Sequence, residues 1–212
     1  IVEEVHHSTQ DNLQEINRNA ATNVNSINEE LANIVLKLGN NEADNLYEYL
    51  QLQTVPDNFP IAKKANLFFM LNPDNFVVNV LGPDVMTYSH VEIDPKISEI
   101  IPELPEIYQR WLQPIQEHHA AFSTMEGMAE FTVQNLLQND DDFQNYLTTF
   151  MGTDFFFFFV RKNMGKELTE KVFEKFGKDA FRFLNEKPPG TRELKEPDRY
   201  LKRDLSTGSK HM

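Results

Sequence analysis

The sequence predicts a mainly α protein, with a long straight N-terminal amphipathic helix leading into a helical domain that carries a small antiparallel β element at about residues 67–93. Three observations predict it. Apolar or small residues recur every 3.6 positions over the first 38 residues. Helical spacing returns from Glu103 to Leu184, and between them lie short apolar runs split by Asn72-Pro-Asp-Asn75 and Gly82-Pro-Asp84. The chain of 212 residues then divides into a helix over 1–39, a mainly helical globular domain over 40–185 and an extended basic polar tail over 186–212.

The N-terminal stripe runs through Val2, Val5, Thr9, Leu13, Ile16, Ala20, Val24, Ile27, Leu31, Ile34 and Leu38. Its average step equals the turn of an undistorted α-helix, so the stripe holds one face without supercoiling. Gly39 follows the last position and suits a left-handed C-terminal cap. Asparagines crowd the flanks (Asn12, Asn17, Asn19, Asn23, Asn25, Asn28 and Asn33). Asparagine is a mediocre helix former, so packing rather than propensity must hold this rod. A rod of about 55 Å, at ~1.5 Å per residue, exceeds what a small domain covers. Leu13, Ile16, Val24, Ile27, Leu31, Ile34 and Leu38 are therefore expected to meet a partner helix from another protein or a second copy.

A second helix is expected from Glu42 to Gln53, with Glu42 and Asp44 in its dipole-favoured first turn. Val55-Pro-Asp-Asn-Phe-Pro60 ends it as a loop. Leu67–Leu71, Phe76–Leu81 and Val85–Ile93 read as three strands of a meander, while Ile61–Leu71 also fits a short buried helix. From Glu103 the pattern is helical, with a kink or restart at Pro114. Ser123-Thr-Met-Glu126 has the spacing of a capping box and is expected to open a new helix to about Gln138. Asn139-Asp-Asp-Asp142 caps the next, and Thr153-Asp154 the one after. Phe155–Val160, apolar all round, is expected in the core. Lys166–Phe176 and Asp179–Leu184 complete the set, and Glu186-Lys-Pro-Pro-Gly190 begins the tail.

Composition closes several routes. There is no cysteine, which removes disulfides, thiolate metal sites and cysteine nucleophiles. The longest apolar run is the six residues Phe155–Val160, against the roughly 20 that span a bilayer. No signal peptide is visible at the N-terminus, and a chain that begins at Ile1 is expected to be a fragment or processed product. A location in the cytoplasm or within an intracellular assembly is expected. Net charge is −13, with residues 1–160 carrying 6 Lys/Arg against 24 Asp/Glu and residues 161–212 carrying 14 against 9. That balance argues against nucleic-acid binding and gives an acidic body a basic tail.

No linear motif for catalysis or a cofactor is present. Glycine-rich phosphate loops, the nucleophile elbow, His-Glu-x-x-His and the EF-hand are all missing, and no cofactor is expected. Glu117-His118-His119 with Glu126 and Glu130 is the best metal candidate, with His90 as a further donor. It competes with histidines that face solvent or cap helices. His6 and His7, adjacent on a helix, point about 100° apart and do not chelate together. The Phe cluster at 155–159, with Phe143, Phe150, Phe173, Phe176, Phe181 and Phe183, either lines an apolar pocket or fills the core. Leu194, Tyr200 and Leu201, set among charges, suit a tail segment that docks on another surface; an idle terminus is the alternative.

Two functional readings follow. The first is a non-catalytic assembly or adaptor protein working through residues 1–38 and the basic tail. The second is a sensory or ligand-binding module whose apolar pocket signals through the long helix. An enzyme would need polar groups converging in a cleft without any linear motif.

Overall fold

A computed structural model describes residues 2–52, 60–73, 87–151 and 156–203; the side chains of 60–61, 146–148, 150–151 and 156–159 lie outside this description. The described residues form eleven helices and no strand. They are α1 (Val2–His7), α2 (Asp11–Lys37), α3 (Asn40–Tyr49), α4 (Pro60–Leu71), α5 (Pro95–Ile100) and α6 (Leu104–Leu137). There follow α7 (Asp141–Met151), α8 (Phe156–Phe176), α9 (Asp179–Glu186), α10 (Thr191–Lys195) and α11 (Pro197–Leu201). Two compact units divide the chain, one of residues 20–115 and one of residues 1–19 with 116–212. The division passes within α2 and within α6, directly after Ile115 in the latter.

In the unit of residues 20–115, the stripe on α2 meets α3 to α6 of its own chain. Leu31, Val35 and Leu38 are buried with Leu46, Leu67, Leu71, Ile101, Leu104 and Ile107. Each such side chain contributes on the order of 1.5–3 kcal/mol of transfer free energy, the main term holding this unit together. Polar contacts close the helix ends. Lys64 donates from Nζ to the Leu36 and Leu38 carbonyls (2.7 and 2.8 Å), meeting acceptors that the end of α2 leaves unpaired. The Tyr108 hydroxyl donates to the Leu71 carbonyl at 2.7 Å, and burial pushes its acidity well below that of a free phenol.

Several expectations are corrected here. The β element is absent from the described residues: Leu67–Leu71 belongs to α4, residues 74–86 lie outside the description, and 87–93 is irregular up to the Asp94 cap of α5. Pro60 sits at the first position of α4, where a missing N–H is harmless, and Leu67 and Leu71, four apart, face one core. The competing helical reading of that apolar run is the correct one. Gly39 has φ −64° and is extended; it caps the start of α3, where Glu42 accepts its N–H at 2.7 Å, rather than ending α2 in a left-handed turn.

The single N-terminal rod is also broken. α1 stops at His7 because Ser8 and Thr9 donate their hydroxyls back to the Val5 and His6 carbonyls (2.7 and 2.8 Å), competing with the helical ladder. Helix α6 continues unbroken through Pro114 and Ser123, so neither restarts it. Ser123 is wholly buried in mid-helix, and Thr124 bonds back to the Ala120 carbonyl instead of capping. The Asp140 cap does form, its carboxylate accepting from Phe143 N at 2.8 Å. The expected Thr153-Asp154 cap lies outside the described residues.

In the unit of residues 1–19 and 116–212, α6 and α8 cross backbone to backbone. A Cβ added to Gly165 would stand 1.7 Å from the Ser123 carbonyl oxygen, and one added to Gly127 would stand 2.1 Å from the Gly165 carbonyl carbon. Only glycine fits either position, because the obstructing atoms are main chain. Beside the crossing, the rings of Phe131, Phe173 and Phe181 pack on one another at 5.2 to 6.1 Å between centroids. Phe131 is buried and Phe173 and Phe181 are half-buried around it; the Phe155–Phe159 side chains lie outside the described residues.

The predicted extended tail is folded from Thr191 to Leu201. Its helices α10 and α11 pack against α8. Leu194 and Tyr200 are buried, and the Tyr200 hydroxyl lies 3.0 Å from the Phe183 carbonyl and 2.9 Å from that of Lys187. A glycine caps the turn, Gly190 N donating to Glu193 at 2.8 Å. Apolar anchors among charges had marked a docking segment; its dock is the chain's own helical unit.

Candidate functional site: a charge cluster on Lys162

The close crossing of α6 and α8 decides which polar groups meet. On α6, Glu126 and Glu130 are four apart and share one face, flanking Gly127. On α8, Lys162 lies three residues before Gly165 and so points to the same seam. Glu3 and His7, also four apart, bring α1 to it.

Lys162 Nζ stands 2.8 Å from Glu3 Oε1, 3.1 Å from Glu130 Oε2 and 3.7 Å from Glu126 Oε2. The Lys162, Glu126 and Glu130 side chains keep only 11 to 15% of their exposure. Burial alone would lower the Lys162 pKa, but the Glu3 and Glu130 carboxylates outweigh it and hold the ammonium above its ordinary range. Burial likewise opposes ionisation of Glu3, yet the Lys162 hydrogen bond and charge, with His7, hold its carboxyl below the usual value. At Glu126 burial wins and the pKa is raised, despite Lys162 and His7. A buried lysine held charged in this way is a poor nucleophile or base; the arrangement fastens helices.

His7 completes the cluster. The buried Gln10 side chain donates from Nε2 to the Met125 carbonyl at 3.2 Å, so its Oε1 is the atom that faces His7 Nδ1 at 2.8 Å. His7 Nδ1 therefore carries a proton. Its other nitrogen, Nε2, lies 3.4 Å from Glu126 Oε1.

The expected metal set of Glu117, His118, His119, Glu126 and Glu130 does not assemble as a unit. Glu126 and Glu130 join Lys162, whereas His119 is buried and accepts from Arg161 at 2.6 Å. Because a guanidinium can only donate, His119 Nδ1 is unprotonated and the ring is neutral. Burial, reinforced by the Arg161 and His118 charges, depresses its pKa to about 3. His90 is exposed on the irregular segment before α5. His6 turns its ring edge-on to Phe181 at 5.2 Å, away from the direction His7 takes.

The residues expected to meet a partner are largely covered by the chain itself. Leu13, Val24, Leu31 and Leu38 are buried, and Ile16, Ile27 and Ile34 half-buried. Leu194 and Tyr200 are buried, and Leu201 is half-buried. By contrast, α1 buries no residue, and its stripe positions Val2 and Val5 are 36% and 62% exposed.

Sequence reasoning missed Glu3, Gln10 and Lys162. The available signal was small residues four apart on two helices, Ser123 with Gly127 and Gly165 with Thr169, which marks a close crossing and selects its polar neighbours. No helix among the described residues is long and apolar enough to cross a membrane. No protein-family model, curated protein or solved structure matches the chain.

Proposed function

We propose that this protein is a non-catalytic assembly or adaptor protein, acting on other chains through its N-terminal helical region. The observation that carries this reading is the state of α1. It is amphipathic, it buries no residue, and it turns Val2 and Val5 outward while charged side chains fasten its other face. The rest of the stripe is spent on the chain's own core, which leaves α1 as the stretch whose apolar face is unmet. Exposed large apolar side chains also occur singly on longer helices, at Leu36 (54%) and Leu136 (64%).

The chemistry of the charge cluster supports the same reading. Lys162 is consumed by carboxylates and His119 by Arg161, so neither is available for proton transfer or covalent catalysis.

Light scattering tests the proposal on the full chain and on Val2→Asp/Val5→Asp. Self-association lost in the variant, or a purified partner that binds wild type and not the variant, is the expected result. A wild type whose mass and partner binding are unchanged by the double substitution overturns it.

A further inference from the structure

The cluster on Lys162 is short of positive charge. Three carboxylates, those of Glu3, Glu126 and Glu130, face one ammonium and one imidazole ring, so acidic groups outnumber basic ones in a largely buried seam. Such an excess is costly in a low-dielectric site unless a cation offsets it.

The structure also aims a ring nitrogen into this seam. Gln10 accepts from His7 Nδ1, which turns Nε2 towards Glu126 Oε1 at 3.4 Å. As imidazolium the ring donates there, and a metal ion can take the place of that proton. A histidine whose far nitrogen donates to a fixed acceptor is the arrangement by which proteins orient imidazole for a metal.

The spacing suits an ion. One ligand atom each from Glu3, His7 and Glu126 lie within 4.8 Å of one another. Ligand atoms about 2.0–2.1 Å from a tetrahedral zinc stand roughly 3.3–3.4 Å apart, close to the separation His7 and Glu126 already have. Lys162 approaches Glu126 through Oε2 and His7 approaches it through Oε1, so the two contacts fall on different oxygens of that carboxylate.

We infer that Glu3, His7 and Glu126 form a binding site for a single divalent cation of the zinc class, which fastens α1 onto α6. One nitrogen and two carboxylate oxygens are a borderline donor set, favouring zinc over magnesium or calcium, which take oxygen ligands. The positive charge of the ion offsets the acidic excess. The inference rests on this geometry and not on the assembly reading, since a cation can fasten α1 whether or not α1 meets a partner.

Calorimetric titration of the full chain with zinc chloride, after removal of metal by chelator, provides the test. The expected result is one zinc per chain, weakened at least tenfold by His7→Gln and by Glu126→Gln, and unmoved by His6→Gln. Gln10→Leu, which releases the His7 ring, weakens binding about ten- to a hundredfold, the usual effect of losing an orienting partner. Saturating zinc slows amide exchange over residues 2–10, a readout that circular dichroism on each variant accompanies to show intact helix content. Zinc binding that His7→Gln and Glu126→Gln leave unchanged, or no heat of binding in a well-folded wild type, overturns the proposal.

Discussion

The two ends of the chain are fastened to the same unit by opposite means. At the C-terminus, α10 and α11 bury Leu194 and Tyr200 against α8 and α9. At the N-terminus, α1 buries no residue fully and is held chiefly by Glu3 and His7 reaching a lysine and a glutamate, with the His6 ring edge-on to Phe181. Apolar burial is non-directional and is lost only when the surface is exposed again, so the C-terminal clasp opens with the unit. A partly buried ion cluster returns much of its Coulomb attraction as desolvation cost, so the N-terminal segment is held by a small difference between large terms. A helix of six residues has little stability of its own, and α1 is therefore the segment free to open alone.

The largest expected effect breaks both fastenings at once. Gly165→Ala pushes a methyl into the Ser123 carbonyl, and main-chain atoms on both sides leave no side chain to yield. The crossing must separate, at a cost of about 3 kcal/mol or more, read as a drop in the urea midpoint. Next comes the clasp: Tyr200→Ala removes a fully buried ring and is expected to cost about 3–5 kcal/mol of global stability. Tyr200→Phe, which keeps the ring, is expected to lose only about 1 kcal/mol, because the Phe183 carbonyl still accepts from Lys187 N.

Lys162→Met sharpens the comparison. It leaves three carboxylates without their ammonium, and removing one member of a buried pair costs up to about 3–5 kcal/mol. Release of α1 takes Glu3 away from the other two, so the global loss is expected to fall below that of Tyr200→Ala while exchange over residues 2–10 accelerates. Glu3→Gln has the smallest global effect, under about 1 kcal/mol, because its side chain is 40% exposed and water screens the pair. It too accelerates exchange in α1.

A pH series separates the cluster from its neighbour His119. The folded pKa of His119, about 3, lies below its unfolded value near 6.5, so the unfolded chain binds the extra proton first. Its contribution is present in full above pH 6.5 and is lost as pH falls from there toward 3. Between pH 6 and 4 the wild type is expected to lose about 1.4 kcal/mol per pH unit more than His119→Gln, measured by urea denaturation. Glu126 has the opposite sign to an ordinary paired carboxylate. Its folded pKa is raised, chiefly by burial, so acidification relieves a cost rather than removing a stabilising contact. Glu126→Gln is expected to remove this relief.

The helical class was legible in the sequence because period is a local property. The stripe from Leu13 to Leu38 and the spacing of Leu104, Ile107, Tyr108, Trp111 and Leu112 both end in the core. Two kinds of feature were not legible. Leu67–Leu71 is too short for periodicity to separate strand from helix, and Pro60 decided the outcome from outside the run. The break after His7 depended on whether Ser8 and Thr9 bond to solvent or to their own backbone. The charge cluster was harder still, since Glu3, Glu126 and Lys162 are brought together by two glycines whose closeness no spacing along one helix reveals. Glu126 and Glu130 were grouped with the adjacent His118-His119 pair because it was the visible donor, whereas the histidine the structure brings beside Glu126 is His7, more than a hundred residues away.

Segment-resolved hydrogen exchange of the full chain tests the central contrast most directly, comparing residues 2–10 with residues 191–201. An α1 held chiefly by charge exchanges through its own opening, faster than the C-terminal clasp, and 0.5 M salt widens the gap by screening Glu3 from Lys162. Equal protection of the two segments, unmoved by salt, would show that α1 opens only with the unit and would contradict the account.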